Sequence, residues 1–266
     1  MYNQNAYNTP PHHAPGWYPP PPAAKRSHGP LVAAIVVAAI LVTGGLVGGG
    51  YLLLAADTTG SFEQRSNQQT AVKPQGVSCR YETSPISERL TPVEKPPNKD
   101  VPAFGVVEAT ISTNFGDIVV RMDRKAAPCT INSWTHLADN HFFNGTSCPR
   151  LTNEIVQCGD PVGDMTGGPT YVYGPENLPD ANRHPSYPRG TVAMASGLDP
   201  ISVGSQFFIL AQDWDLMPDY SIVGEIVAGM DVLDTIMALG HDGTLDPLPG
   251  GGRPTQPITV QTMVIN

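Results

Sequence analysis

Polar and apolar positions change rhythm several times along the chain. From Val107 to Ser112 and from Asp117 to Met122 the residues alternate or run apolar over strand length. The turn Thr113-Asn114-Phe115-Gly116 separates them, which predicts a β-hairpin. Pro128 then opens a helical rhythm in which Ile131, Trp134, Leu137 and Ala138 recur at i, i+3 and i+4 spacing. Short β-type runs follow at Ile155–Gln157, Thr191–Ala195, Gln206–Leu210 and Ile222–Ile226. Val232, Leu233, Ile236 and Met237 predict a second amphipathic helix, and Ile258 to Ile265 the last strand. Many short strands with Gly/Pro turns and two isolated helices predict a mainly β unit, an antiparallel barrel or sandwich, over residues 105–266.

Ahead of that unit the pattern breaks into three different regimes. Residues 31–56 are 26 consecutive residues without a charge, more than the ~20 that cross a bilayer core as a helix. The run is longer than a signal-peptide core and follows a 30-residue leader, so a transmembrane helix is expected rather than a cleaved leader. Lys25 and Arg26 just before it, with Asp57 and Glu63 just after, favour a cytoplasmic N-terminus and an extracytoplasmic folded domain. Residues 1–30 interleave eight prolines with Tyr2, Tyr7, Trp17 and Tyr18 and hold few aliphatics. They are expected to form a disordered, polyproline-rich tail, with docking to a proline-recognition domain as its functional reading. Residues 57–104 hold Pro74, Pro85, Pro92, Pro96, Pro97 and Pro102 among polar and charged residues and are expected to be a flexible linker.

Composition narrows the function classes. The 266 residues include 15 Lys+Arg and 24 Asp+Glu, a net charge of −9, which argues against a general nucleic-acid binder. Cys79, Cys129, Cys148 and Cys158 show no CxxC or Cys/His spacing for zinc. Outside the cytoplasm disulfides are expected, and four cysteines leave three pairings open, as well as a reduced Cys158 in the core. His136 and His141 are five apart and read as surface, and Asp213, Asp215 and Asp219 as a solvated turn.

The local strings are more specific. Asn144-Gly145-Thr146-Ser147-Cys148-Pro149-Arg150-Leu151 precedes Gln157-Cys158-Gly159-Asp160-Pro161, followed by Thr166-Gly167-Gly168-Pro169 and Glu176-Asn177-Leu178. Then come Arg189-Gly190-Thr191-Val192-Ala193-Met194-Ala195 and Gly204-Ser205-Gln206-Phe207-Phe208-Ile209. In this order they resemble a cyclophilin-type peptidyl-prolyl cis-trans isomerase of the membrane-anchored bacterial kind. The resemblance implies a closed eight-stranded antiparallel barrel capped by two helices, with the site on its outer face. It implies catalysis of Xaa-Pro isomerisation in polypeptides folding outside the cytoplasm, with no cofactor and no metal.

By the same resemblance Arg150 and Gln157 are the catalytic pair, the guanidinium stabilising the twisted amide and the glutamine orienting it. Phe208 is the floor and Leu216 a wall of the proline slot, with Tyr220 beside them and Gln206, Ala195 and Ser196 along the groove. Only Leu-Thr-Asn-Glu-Ile-Val separates Arg150 from Gln157, a shorter turn than the family pattern, and Ile155 with Val156 stand in for its apolar part. Neighbours on a strand face opposite sides, so Phe207 is assigned to the core and Phe208 to the slot. Pro149, Cys158 and Ser196 replace the usual His, Gly and Asn, and Asp215 stands at the usual Trp with Trp214 one residue away. Two rival readings differ in class: a cyclophilin-fold peptide-binding or chaperone module with weak or no isomerase activity, and a secreted scaffold that acts through its Pro/Tyr-rich tail.

Overall fold

The computed structural model describes residues 76–85, 89–196 and 203–266. The expected tail over 1–30, the expected span over 31–56 and residues 57–75 of the expected linker lie outside the described residues. Among the described residues no helix is long and apolar enough to cross a membrane.

In chain order the elements are β1 (Tyr81–Thr83), β2 (Leu90–Thr91), β3 (Val106–Thr113), β4 (Gly116–Asp123), α1 (Pro128–Asp139), β5 (Thr146–Ser147), β6 (Arg150–Leu151) and β7 (Ile155–Cys158). They continue with β8 (Gly168–Pro169), β9 (Tyr171–Tyr173), β10 (Thr191–Ser196), β11 (Val203–Leu210), β12 (Ile222–Ala228), α2 (Met230–Met237) and β13 (Thr259–Ile265). Among the described residues, eleven of the strands join one curled antiparallel sheet in the order β1-β9-β11-β10-β12-β4-β3-β13-β5, with β7 also on β11 and β6 on β7. A separate parallel pair is formed by β2 and β8. The predicted hairpin is β3–β4, in register from Val106 opposite Asp123 to Thr113 opposite Gly116. The excess over eight strands comes from segments of two or three residues, such as β1 and β5, too short to carry a readable alternation.

The core fills the inner face of this sheet. Ala109, Ile111, Ile118, Val120 and Met122 point inward from the hairpin at every second position. Helix α1 covers one opening with Ile131, Trp134 and Leu137, and the Trp134 ring lies 4.9 Å from that of Phe207 and 6.0 Å from that of Phe143. Its Nε1–H donates to the Met194 sulfur at 3.1 Å. Ala127 provides no side-chain cap for α1. The Glu176 carboxylate does so from across the chain, accepting the N–H groups of Cys129 at 3.2 Å and Thr130 at 2.7 Å, a negative charge at the positive end of the helix. Gly229, at φ 89°, leads into α2, and a Cβ there would stand 2.2 Å from the Asp117 carbonyl oxygen.

Residues 76–85 and 89–104, expected to belong to the linker, are tied to the sheet. Strand β1 extends it by pairing with β9, Val77 bridges to Val101, and Cys79 forms a disulfide with Cys129 of α1. Tyr81 is buried edge-to-face against Tyr171 and Tyr173 at 5.6 and 5.7 Å and donates its hydroxyl to the Cys129 carbonyl at 2.8 Å. Burial pushes the Tyr81 phenol up to about 12. The folded unit therefore takes in Gly76 onward rather than starting at 105, because a few anchors outweigh the polar, proline-rich average around them. The second disulfide joins Cys148 to Cys158, so among the described residues no cysteine is free.

Starting the soluble domain at residue 105 instead of 76 should lower its unfolding free energy by about 2–4 kcal/mol, the usual range for loss of a long-range disulfide. Urea unfolding of the two fragments followed by tryptophan fluorescence measures the difference, and Cys79→Ser with Cys129→Ser in the longer fragment should reproduce most of it.

Candidate active site

Antiparallel register brings residues from distant parts of the chain into one row. Arg150 on β6 stands opposite Gln157 on β7, and Gln157 opposite Phe208 on β11. Phe208 stands opposite Ala193 on β10, and Ala193 opposite Ile222 on β12. Side chains directly across antiparallel strands share a face, so the row lies on the outer face of the sheet. The intervening residues Leu151, Val156, Phe207, Ile209, Val192 and Met194 go into the core.

On the outer face Phe208 packs with Ile155, Ala193, Leu210 and Tyr187, and Ala195, Trp214, Leu216, Tyr220 and Ile222 lean on that group. The rings of Phe208 and Tyr220 meet edge-on at 5.3 Å and 87°. Tyr187 secures Tyr220 from below: its hydroxyl donates to the Tyr220 carbonyl and accepts the Tyr220 N–H, both at 3.0 Å.

Beside this apolar group lies a chain of polar contacts. Arg150 donates from Nη1 to Gln157 Oε1 at 3.0 Å. Gln157 donates from Nε2 to Gln206 Oε1 at 2.9 Å, and Gln206 donates from Nε2 to the Gly167 carbonyl at 3.0 Å. Arg150 Nε donates to the Gly250 carbonyl at 3.0 Å and Nη2 to the Pro249 carbonyl at 2.6 Å. A guanidinium has five N–H donors, and three are engaged here, which leaves two for a ligand. Its acceptors Gln157, Pro249 and Gly250 are all neutral, so none of them cancels the positive charge. Burial lowers the Arg150 pKa from the usual arginine value, while Tyr220 and Glu154 act the other way; the group stays charged at neutral pH. A cleft of about 250 Å³ adjoins the guanidinium and is lined by Thr152, Glu154, Trp214 and Pro249 among others.

Of the residues expected at the site, Arg150, Gln157 and Gln206 form the polar chain, and Ile155, Ala195, Phe208, Leu216 and Tyr220 belong to the apolar group. Ser196 is half-buried at the end of β10, opposite Val203 after an irregularity in register. Val156 is corrected: it lies in the inner core opposite Ile209, since two successive strand residues cannot both face outward. Trp214 packs on the apolar group, whereas Asp215 turns away to accept the Ser186 N–H at 2.9 Å beside His184 Nδ1 at 3.2 Å.

Tyr187, Ala193, Leu210 and Ile222 were not anticipated. Ala193, Leu210 and Ile222 share the phase of Phe208 in their strands and could have been found from it. The carbonyls of Pro249 and Gly250, about a hundred residues from Arg150, carry no such signal.

The two neighbours on β7 separate the faces experimentally. Val156→Ala should cost about 1–3 kcal/mol of unfolding free energy through a core cavity and leave affinity for a proline peptide unchanged. Ile155→Ala should weaken that affinity several-fold. Chemical unfolding and peptide titration by NMR read the two effects.

Comparison with known proteins bears on this geometry. The family described as cyclophilin type peptidyl-prolyl cis-trans isomerase/CLD matches residues 108–265. The chain is 37% identical over 207 residues to the probable peptidyl-prolyl cis-trans isomerase B of Mycobacterium tuberculosis H37Rv, covering 72% of this chain and 65% of that protein. It thus spans just under two thirds of that relative's length. It is 30% identical over 177 residues to the peptidyl-prolyl cis-trans isomerase B of Streptomyces anulatus, covering 59% of this chain and 95% of that one. A crystal structure of a Cryptosporidium parvum cyclophilin type isomerase, obtained in the presence of the dipeptide ala-pro, superimposes with a TM-score of 0.53 at 25% identity. That match covers 60% of this chain and 98% of the other. The matched segment contains every strand and loop that builds the row from Arg150 to Ile222, and the chain belongs to the cyclophilin-type peptidyl-prolyl cis-trans isomerase family.

Proposed function

We propose that this protein is a peptidyl-prolyl cis-trans isomerase acting on Xaa-Pro bonds of polypeptides outside the cytoplasm. The observation that carries the reading is a charged guanidinium with two spare N–H groups, fixed one strand pair away from an apolar group floored by Phe208. Rotation about a peptide bond is opposed by ~18–20 kcal/mol because the nitrogen lone pair is delocalised into the carbonyl. In the twisted amide that pair returns to nitrogen. A cation and donor beside the prolyl nitrogen stabilises this state more than either planar form, which is differential binding. The Phe208 group would hold the proline ring, while Gln157 and Gln206 would bond the main chain of the preceding residues. The same reading takes the curled sheet as a closed barrel of eight strands, supported by the bridge from Ser147 on β5 to Asp160 just past β7.

The reading also places residues 31–56 across the cell membrane as a single span, with the Pro/Tyr-rich tail inside and open to a proline-recognition partner. The uncharged run and the flanking charges support this. Two disulfides support an oxidising compartment for the domain.

Arg150→Ala should reduce kcat/KM for a short Xaa-Pro peptide at least tenfold, about 1.4 kcal/mol or more of transition-state stabilisation. Magnetisation-exchange NMR on the same peptide checks it. Unchanged exchange enhancement refutes the role of Arg150, and peptide binding by the unsubstituted protein without enhancement favours the chaperone reading. Protease added outside intact cells should digest the folded domain that begins at Gly76 and spare residues 1–30.

A further inference from the structure

The segment that joins α2 to β13 folds into a closed loop directly against the guanidinium. At its neck Asp242 N–H donates to the Arg253 carbonyl at 3.0 Å, and Asp242 Oδ1 accepts the Thr244 N–H at 3.0 Å, the Thr244 hydroxyl at 2.7 Å and the Arg253 N–H at 2.9 Å. Further in, Leu245 N–H donates to the Gly251 carbonyl and Gly250 N–H to the Leu245 carbonyl, both at 3.0 Å. The loop is bonded to the strand of Arg150 itself: Leu151 N–H donates to the Gly252 carbonyl at 2.8 Å, and Gly252 N–H to the Leu151 carbonyl at 3.0 Å. A Cβ on Gly251 would stand 2.2 Å from the Leu151 carbonyl oxygen, so the close approach requires glycine there.

One side chain ties the distal part of the loop to this frame. Asp246 Oδ1 accepts the Gly251 N–H at 2.6 Å, closing the turn that contains Pro249 and Gly250. The carbonyls of those two successive residues are the acceptors of Arg150 Nη2 and Nε. They occupy one side of the guanidinium, and Gln157 takes Nη1.

We propose that Asp246 is a positioning residue for the isomerisation: by closing the 245–251 turn it aims the Pro249 and Gly250 carbonyls, and these fix the direction of the Arg150 guanidinium. The acceptors hold the cation without neutralising it, which a carboxylate in direct contact would do. Without the closure Arg150 keeps its bond to Gln157 but regains torsional freedom along a long side chain. Misplacing a catalytic group by about 1 Å is enough to cost large factors in rate. The inference rests on the isomerase reading and adds a device to it.

The test uses the full chain with Asp246→Ala and Asp246→Asn, a short Xaa-Pro peptide, and the NMR signal of the Arg150 Nε–H. Asp246→Ala should lower kcat about 5- to 30-fold with KM within about twofold, and should speed exchange of the Nε–H with water. Asp246→Asn keeps an oxygen acceptor for the Gly251 N–H and should restore both readouts to within about threefold of the original protein. Full activity in Asp246→Ala overturns the proposal, as does lost activity with an unchanged Nε–H signal, or failure of asparagine to rescue. If Asp246→Ala does not fold, Asp246→Gln, which displaces the acceptor by one methylene, is judged by the same criteria. A chain inactive before any substitution sinks the isomerase reading instead, and the Nε–H exchange still decides whether Asp246 positions Arg150.

Discussion

A step of one residue along β7 or β11 carries a side chain from the interior of the curled sheet to its outer face, and the register between strands then decides what it meets. Because Gln157 stands opposite both Arg150 and Phe208, the cation, the amide that orients it and the aromatic floor arrive on the same face together. Their immediate neighbours Leu151, Val156, Cys158, Phe207 and Ile209 fill the core. Site and core are thus two sides of one alternation. A slip of a single residue between β7 and β11 would exchange them, placing a guanidinium partner in the interior and exposing Phe207. The buried face of Phe207, packed on Trp134 and Phe143, sets the register on which the outer face depends.

Holding a long cation still is the second constraint. Arginine carries about 2 kcal/mol of rotamer entropy when free, and a contact that fixes it with a carboxylate would also neutralise its field. Here the fixing groups are two backbone carbonyls and an amide. Each gives a directed hydrogen bond, and none carries a net charge. The half-buried setting keeps water from competing for the same donors, at the expense of a pKa lowered by desolvation. That shift starts from a value so high that the charge survives, which lysine in the same setting would not guarantee.

Periodicity made the hairpin and both helices legible, since each repeats at the period of its element over six or more residues, and the central strands were legible as short apolar runs. Two-residue strands such as β5 and β6 repeat nothing and could not be read. The resemblance assigned Phe208 to the slot and alternation then sent Phe207 to the core; the same rule, applied with Ile155 on the outer face, would have placed Val156 in the core. Composition misplaced the start of the folded unit because an average over 57–104 hides Cys79 and Tyr81 among prolines and charges. Least legible were contacts closed by main-chain atoms across long stretches of sequence, such as Pro249 and Gly250 on Arg150 or Glu176 on α1. A carbonyl is present in every residue and leaves no mark in the pattern of side chains.

The short connection between Arg150 and Gln157 follows the same geometric logic. Thr152 donates its hydroxyl to Glu154 and accepts the N–H groups of Glu154 and Ile155 with it, at 3.0 and 3.1 Å. The chain therefore turns within three residues and returns in register. A longer turn could carry an additional aromatic over the apolar group, but it would loosen the pairing that sets Arg150 opposite Gln157. Trp214 packs against that group from a different strand bridge, to Tyr187, and supplies aromatic surface without lengthening the turn. The disulfide from Cys148, two residues before Arg150, to Cys158, one after Gln157, closes the same ribbon on its core side. The ribbon is thus constrained at the turn by a threonine, on the inner side by sulfur and on the outer side by the glutamine–arginine bond. The remaining freedom lies along the Arg150 side chain itself, where the facing loop makes contact.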